Sequence, residues 1–239
     1  MVFELRYSQY NSHSILIEWP AIIDDIILEN ILNFKFDIEK HFLKQKIEVV
    51  NAYNSLLVIY SLTIDNINDE IFILKSLYKA QNNQKKLKFN TWEIPVCYHD
   101  EFAQDLDDFS KIKKLSKSQI IHLHSQPIYT VYFIGFLPGF LYLGGLNSQL
   151  HLDRKISPDL NIKKGSVAIG GEQTGIYPQN SPGGWHVIGN SPISIFDVNL
   201  NPPCQIKSGD CIKFSAIDNK EHNEILNMVE NSSYQLKTL

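Results

Sequence analysis

The segment SVAIGGEQTGIYPQNSPGGWHVIGNSP, residues 166 to 192, holds the densest set of groups able to do chemistry. Glycines at 170, 171, 175, 183, 184 and 189 let a backbone approach a ligand closely or adopt positive φ. Between them fall Glu172, Gln173, Thr174, Tyr177, Ser181 and Trp185. So many free joints carry an entropic cost on folding, and two readings stay open: a ligand-binding loop system, or a set of tight barrel turns. The spacing in GGEQTG does not fit G-x-G-x-x-G, and no G-x-x-x-x-G-K-[ST] occurs. Any ATP handled here is therefore held by an unfamiliar loop or by another chain. Arg154 is the only arginine after Arg6. In a chain that otherwise uses lysine, a lone planar guanidinium suits the grip of a carboxylate, with a plain surface salt bridge as the alternative.

Other polar groups do not assemble. His122 and His124 share a face only in an extended chain, and nothing at ligand spacing completes a zinc site. Asp107 and Asp108 point to different faces of a helix, which argues against their working as a general acid and base pair. Ser76 with Lys79, and Ser110 with Lys113, match S-x-x-K without its companion motifs. No nucleophile stands in an evident pair with a base.

From Tyr129 to Leu146 no side chain is charged, a length at which a membrane span must be considered. Gly135, Pro138, Gly139, Gly144 and Gly145 would break such a helix, and no Lys or Arg anchors either flank. FIGFLPGFLYLGGL, residues 133 to 146, is read instead as a strand breaking into an apolar loop. Phe136, Pro138, Gly139, Phe140 and Tyr142 are then free to wall a pocket or meet a partner. A net charge of −4 and a pI near 6.1 offer no general attraction for nucleic acid or an anionic membrane. The start of the chain lacks the marks of a secretory signal. Cys97, Cys204 and Cys211 are odd in number and in no C-x-x-C spacing, so the expected location is a reducing cytoplasm.

The elements that must position these residues follow from periodicity. Residues 3 to 7 and 13 to 19 read as strands. Ile23, Ile27, Ile31, Phe34, Ile38 and Phe42 recur at helical spacing, as do Ile67, Ile71, Leu74 and Tyr78. Two strands flank a turn at Asn51 to Asn54. This first part, residues 1–88, reads as a small α/β sandwich ending in the polar linker QNNQKK. In the second part, residues 89–239, FNTWEIPVCY reads as a strand. Phe102, Leu106 and Phe109 indicate a short helix, and SKSQ from Ser116 has the form of a capping box. From Tyr129 onward helical periodicity disappears and the texture is that of a β-rich barrel. IKKGSVAI and IKSGDCIKF share one grammar, a polar glycine turn that launches a strand. The fold class is α+β.

IPVCY, DL, LH, GFLPGFLYLGGL, GSVAIGGEQTGIYP and SPGGWHVIG occur in the order and spacing of the KipI family, also called allophanate hydrolase subunit 1. The chain resembles that family over nearly its whole length. The resemblance implies a small N-terminal α/β domain followed by a cyclophilin-like β-barrel. It also implies a non-autonomous component, inactive alone, of an ATP-dependent 5-oxoprolinase that converts 5-oxo-L-proline to L-glutamate. The partners so implied are the C component of that enzyme, of the allophanate hydrolase subunit 2 type, and its A component, with ATP used by the complex and no metal site in this chain. Other members of the family suggest alternatives: an inhibitor of a sensor histidine kinase, or half of a biotin-dependent carboxyltransferase of the urea carboxylase type. Substrate binding is expected, on this resemblance, from His124, Arg154, Gln173, Thr174, Tyr177, Ser181, Gly183, Gly184 and Trp185. The sequence departs from the family where Asp159 replaces an expected arginine, which puts the anion site in question.

Overall fold

The computed structural model describes residues 3–43, 47–80 and 87–239. The chain divides into two compact units, Met1–Lys88 and Phe89–Leu239, each with its own hydrophobic core. The polar stretch 81–86 lies outside the described residues.

In the first unit β1 (Arg6–Asn11) and β2 (Ser14–Glu18) precede α1 (Asp25–His41), and β3 (Ile47–Asn51) and β4 (Ser55–Tyr60) precede α2 (Ile67–Lys79). The sheet is antiparallel in the order β1-β2-β4-β3. The helical spacing is realised as a core-facing stripe, with Ile27, Ile31, Phe34 and Ile38 of α1 and Leu74 and Tyr78 of α2 buried together. Asp24 starts α1 by accepting the amides of Ile26 (2.8 Å) and Ile27 (3.2 Å), so Ile23 stays outside the helix and exposed. The first strand runs from Arg6 rather than over residues 3–7. Pairing with β2, from Arg6 opposite Glu18 to Asn11 opposite Ser14, sets its limits, while Phe3 and Leu5 pack on the core ahead of it.

The second unit opens with β5 (Thr91–Cys97), α3 (Leu106–Lys113) and α4 (Lys117–Ser125). It continues through β6 (Ile128–Ile134), β7 (Leu141–Gly144), β8 (Asp159–Ile162), β9 (Ser166–Gly170), β10 (Gln173–Ile176), β11 (Ser181–Gly183), β12 (His186–Asn190) and β13 (Cys211–Ile217). It ends with α5 (Asn219–Glu230) and β14 (Lys237–Thr238). Among the described residues seven strands close into a barrel, β12-β9-β10-β7-β6-β13-β5, which returns to β12 where Asn190 faces Cys97. β8 and β11 form a separate ribbon, and β14 pairs with β5 at Trp92 and Glu93. Strand alternation divides the side chains: Leu141, Leu143, Val167, Ile169, Ile176 and Ile188 fill the barrel, while Phe140, Ala168, Tyr177 and Val187 belong to a second cluster outside it. The two glycine turns launch β9 and β13 as expected, with Gly165 at φ +80 and Gly209 at φ +91.

The capping box on α4 is formed, with the Ser116 hydroxyl accepting the Gln119 amide at 3.2 Å and the Gln119 side chain accepting the Ser116 amide at 2.8 Å. Phe102 lies in the turn ahead of α3. The expectation that helices end before Tyr129 is overturned by α5, capped by Asp218, which accepts the Glu221 amide at 2.8 Å. Its NKEHNEILNMVE lies on the protein surface with only His222 buried, too narrow an apolar strip for periodicity to reveal. None of the described helices is long and apolar enough to cross a membrane.

Candidate functional site

Two stretches far apart in sequence meet on the outer face of the barrel. The ring of Phe140, at the entry to β7, lies 4.9 Å from Tyr142, 5.3 Å from Tyr177 and 5.4 Å from Trp185, centroid to centroid. Ile162, Ala168 and Val187 complete the cluster. The glycines make room for these rings. A Cβ on Gly170 would sit 2.4 Å from the Trp185 indole, on Gly175 2.7 Å from the Leu141 carbonyl oxygen, and on Gly183 2.2 Å from the Tyr177 hydroxyl. Of the glycines singled out between 170 and 189, only Gly171 has positive φ, +66, and only there is the space above open. Close packing therefore accounts for most of what sequence alone leaves between turn and ligand loop.

The hairpin loop joining β6 to β7 carries Phe136 at its tip, 64% exposed with φ of +66. Such a backbone is rare for a bulky L-residue. Its ring meets Phe140 edge-on at 5.7 Å. Pro138 is exposed beside it, and Gly139 packs so closely that an added Cβ would lie 2.6 Å from Phe196 Cβ.

Arg154 projects from a strap laid over the cluster and tied at each side. Leu152 and Gly171 exchange backbone hydrogen bonds of 3.1 and 2.7 Å, His186 Nε2 donates to the Asp153 carbonyl at 2.9 Å, and the Lys155 amide donates to Gly184 O at 2.7 Å. Lys155 Nζ reaches both Asp105 oxygens, at 2.8 and 2.7 Å, and Asp105 Oδ2 also accepts the Val187 amide at 2.7 Å. The exposed Arg154 guanidinium lies 5.6 Å from the centre of the Trp185 ring. Among the described residues it has no carboxylate within 4.0 Å, so the surface salt bridge considered from sequence is not made. Asp159 is engaged elsewhere, accepting Gln104 Nε2 at 2.9 Å and the Asn161 amide at 3.0 Å. The amide of Asn161, then Gln104, holds its carboxyl below the usual carboxylate range.

Burial pushes Tyr177 up to about 12, against the opposing pull of the Trp185 amide and Arg154. Tyr142 is also raised by burial and lowered by Arg154. Both phenols therefore remain protonated donors at neutral pH. Gln173 pairs with Gly170, the residue beneath Trp185. The Ser181 hydroxyl on β11 is buried without a partner among the described residues.

His124 and Thr174 are placed otherwise. Both are 0% exposed. Thr174 Oγ1 donates to the Ala168 carbonyl at 3.0 Å, so it must accept from His124 Nε2 at 2.8 Å, leaving His124 Nδ1 to accept the Tyr98 hydroxyl at 2.7 Å. Phe214 stacks on the imidazole at 4.7 Å, and burial lowers its pKa to about 3. This neutral histidine joins α4 to β10 and is out of reach of solvent. Sequence reasoning missed Asp105 and Lys155 as the strap's anchor, although Asp105 is the first residue of the DL motif at 105–106.

The face as a whole places an exposed guanidinium beside Trp185 with the Tyr142 phenol nearby, chemistry able to meet an anion with an apolar body. Among the described residues no group of three or more His, Cys, Asp or Glu is disposed to hold a metal ion.

A family model described as carboxyltransferase domain, subdomain C and D, matches residues 5–206. The chain is 43% identical over 168 residues to the B component of 5-oxoprolinase from Haemophilus influenzae, covering 70% of this chain and 78% of that protein. It is 45% identical over 131 residues to the B component of 5-oxoprolinase from Bacillus subtilis, covering 55% of each and so about half the length of that relative. In fold it is similar to part of Kluyveromyces lactis urea carboxylase, with a TM-score of 0.82 at 18% identity over 99% of this chain and 24% of that one.

Proposed function

Since the chain belongs to the carboxyltransferase-domain family, subdomains C and D, we propose that it is the B component of an ATP-dependent 5-oxoprolinase. In this reading it works with the A and C components to open 5-oxo-L-proline to L-glutamate. The names of the two relatives support the assignment, and the observation that carries it to a site is Arg154. 5-Oxoproline has one carboxylate and a small neutral ring. An exposed guanidinium, held over Trp185 by a tied strap and lacking a carboxylate among the described residues, binds such a carboxylate through two parallel N–H···O bonds. Tyr142 and Gln173 supply donors for the lactam, with the buried Tyr177 and with Ser181, Gly183 and Gly184 shaping the wall behind them. His124 and Thr174 act from inside the barrel by fixing β10, without touching substrate.

The amide of an unstrained five-membered ring is a poor electrophile, so phosphoryl transfer from ATP activates it. The division of labour then gives carboxylate recognition to this chain and leaves the ATP-binding chain unassigned. Phe136 and Pro138, exposed at the loop tip, form a surface for the C component. The isolated chain is inactive, because the site pairs no nucleophile with a base. The test is 5-oxoproline-dependent ATP hydrolysis by the chain co-expressed with the A and C components. Activity is expected only from the full complex, and Arg154→Lys should raise KM for 5-oxoproline about tenfold with kcat nearly unchanged, the signature of lost ground-state binding. An unchanged KM removes Arg154 from this role. No hydrolysis from a well-formed complex removes the function.

A further inference from the structure

Asp105 stands at the N-cap position of α3, where an aspartate ordinarily accepts amides of its own first turn. Among the described residues its carboxylate caps no amide of that helix. It reaches instead to β12 and to the strap over the aromatic face. Asp105 exchanges two hydrogen bonds with Val187, its amide donating to the Val187 carbonyl at 3.0 Å and its Oδ2 accepting the Val187 amide at 2.7 Å. Both carboxylate oxygens also take Lys155 Nζ, at 2.8 and 2.7 Å. A residue that forgoes the bond its position favours points to a task outside its own element.

The other ties of the strap converge on the same short piece of chain. His186 Nε2 donates to the Asp153 carbonyl, and the Gly184 carbonyl accepts the Lys155 amide. Both residues that flank Arg154 are thus bound to the segment from Gly184 to Val187, Lys155 a second time by way of Asp105. Trp185, against whose ring the guanidinium lies, belongs to that segment. Phe109 of α3 meets the His186 ring edge-on at 6.0 Å, so α3 holds the segment by packing as well. The Arg154 side chain stays exposed, and what the ties determine is the backbone beneath it.

The side chains of Lys155 and Asp105 are only 21% and 19% exposed, so their attraction is screened less than that of a surface pair. Removing the negative charge leaves a partly buried ammonium without its counter-charge, and a flexible lysine then turns to water and draws the strap with it. We infer that Asp105 is a positioning residue for carboxylate recognition, acting through Lys155 to hold the backbone of Arg154 beside Trp185 without touching substrate. The inference rests on the reading of Arg154 as the grip on 5-oxoproline. Such a clamp sets the point from which the guanidinium reaches, so its loss weakens binding ahead of chemistry.

The test uses the assembled complex, with Asp105→Asn and Lys155→Gln each made beside Arg154 and beside Arg154→Lys. Asparagine keeps an oxygen for the Val187 amide and drops the charge that holds Lys155. Lys155→Gln leaves Asp105 on β12 and carries the test if Asp105→Asn does not fold. Each should raise KM for 5-oxoproline about fivefold with kcat nearly unchanged. In the Arg154→Lys background either change should raise KM less than about twofold, because the group being positioned is already lost. Amide hydrogen exchange of the isolated chain reads the clamp without substrate. The Lys155 amide should exchange about tenfold faster in both variants, with the amides of β6 and β7 unchanged. An unchanged KM in both variants, a fall in kcat alone, a full KM effect in the Arg154→Lys background, or Lys155 protection equal to the parent's would overturn the inference. An Arg154→Lys complex with the parent's KM removes the reading of Arg154 and the inference with it, and the exchange result distinguishes that failure from a clamp that does not hold the strap.

Discussion

A histidine with one ring nitrogen on a tyrosine and the other on a threonine resembles a proton relay, but His124 has no path to solvent or substrate. Its relay ends at the Ala168 carbonyl. The consequence is a pH-dependent stability. The folded pKa is about 3, against 6.5 for the unmodified side chain. As pH falls below 6.5 the unfolded chain takes up a proton that the folded chain refuses, so the contribution is complete above that value and is lost progressively toward pH 3. The slope is about 1.4 kcal/mol per pH unit for one proton. His222 is shifted in the same direction and adds to it. His124→Gln keeps two hydrogen-bonding atoms without titrating. Urea unfolding at pH 7, 5.5 and 4.5 should therefore show a shallower loss in this variant than in the parent, by about one proton. Parallel slopes would mean that His124 is protonated in the folded state.

At the scale of elements, the outer face of the barrel depends on side chains that are missing. Ala168, Gly170 and Gly175 form a small-residue floor on β9 and β10, and the rings of Phe140 and Trp185 lie against it. Gly170→Ala would put a methyl group 2.4 Å from Trp185. The expected destabilisation is about 1–3 kcal/mol, read from the urea midpoint, with a changed near-ultraviolet circular dichroism signal as Trp185 shifts. How much of this was legible follows from where information sits in a chain. The stripes of α1 and α2 and the box on α4 are local patterns of contacts three and four residues apart, and they appear as expected. The limits of β1 come from its partner strand, and α5 hides its narrow apolar strip in a polar sequence. The purpose of the glycines was ambiguous because permissive backbone and tight packing call for the same residue. Arg154 stood out by its rarity, whereas Asp105, 49 residues away in sequence, supports it through Lys155 in a contact that no spacing rule encodes.

At the scale of the whole molecule, each unit closes its own core, and the barrel leaves few unpaired strand edges because β12 and β14 share the free side of β5. In such a framework a residue in an unfavourable backbone state is conspicuous. Phe136 holds φ of +66 while its ring is largely in solvent, so little packing offsets the strain. Phe136→Gly should relieve roughly 1 kcal/mol and raise Tm by about 2–4 °C, measured by scanning calorimetry on the isolated chain. If Phe136 meets the C component as proposed, the same change should lower the turnover of the assembled complex. The free chain would thus be improved by discarding this side chain, and the proposed contact would make Phe136 a place where selection for folding and selection for assembly pull in opposite directions.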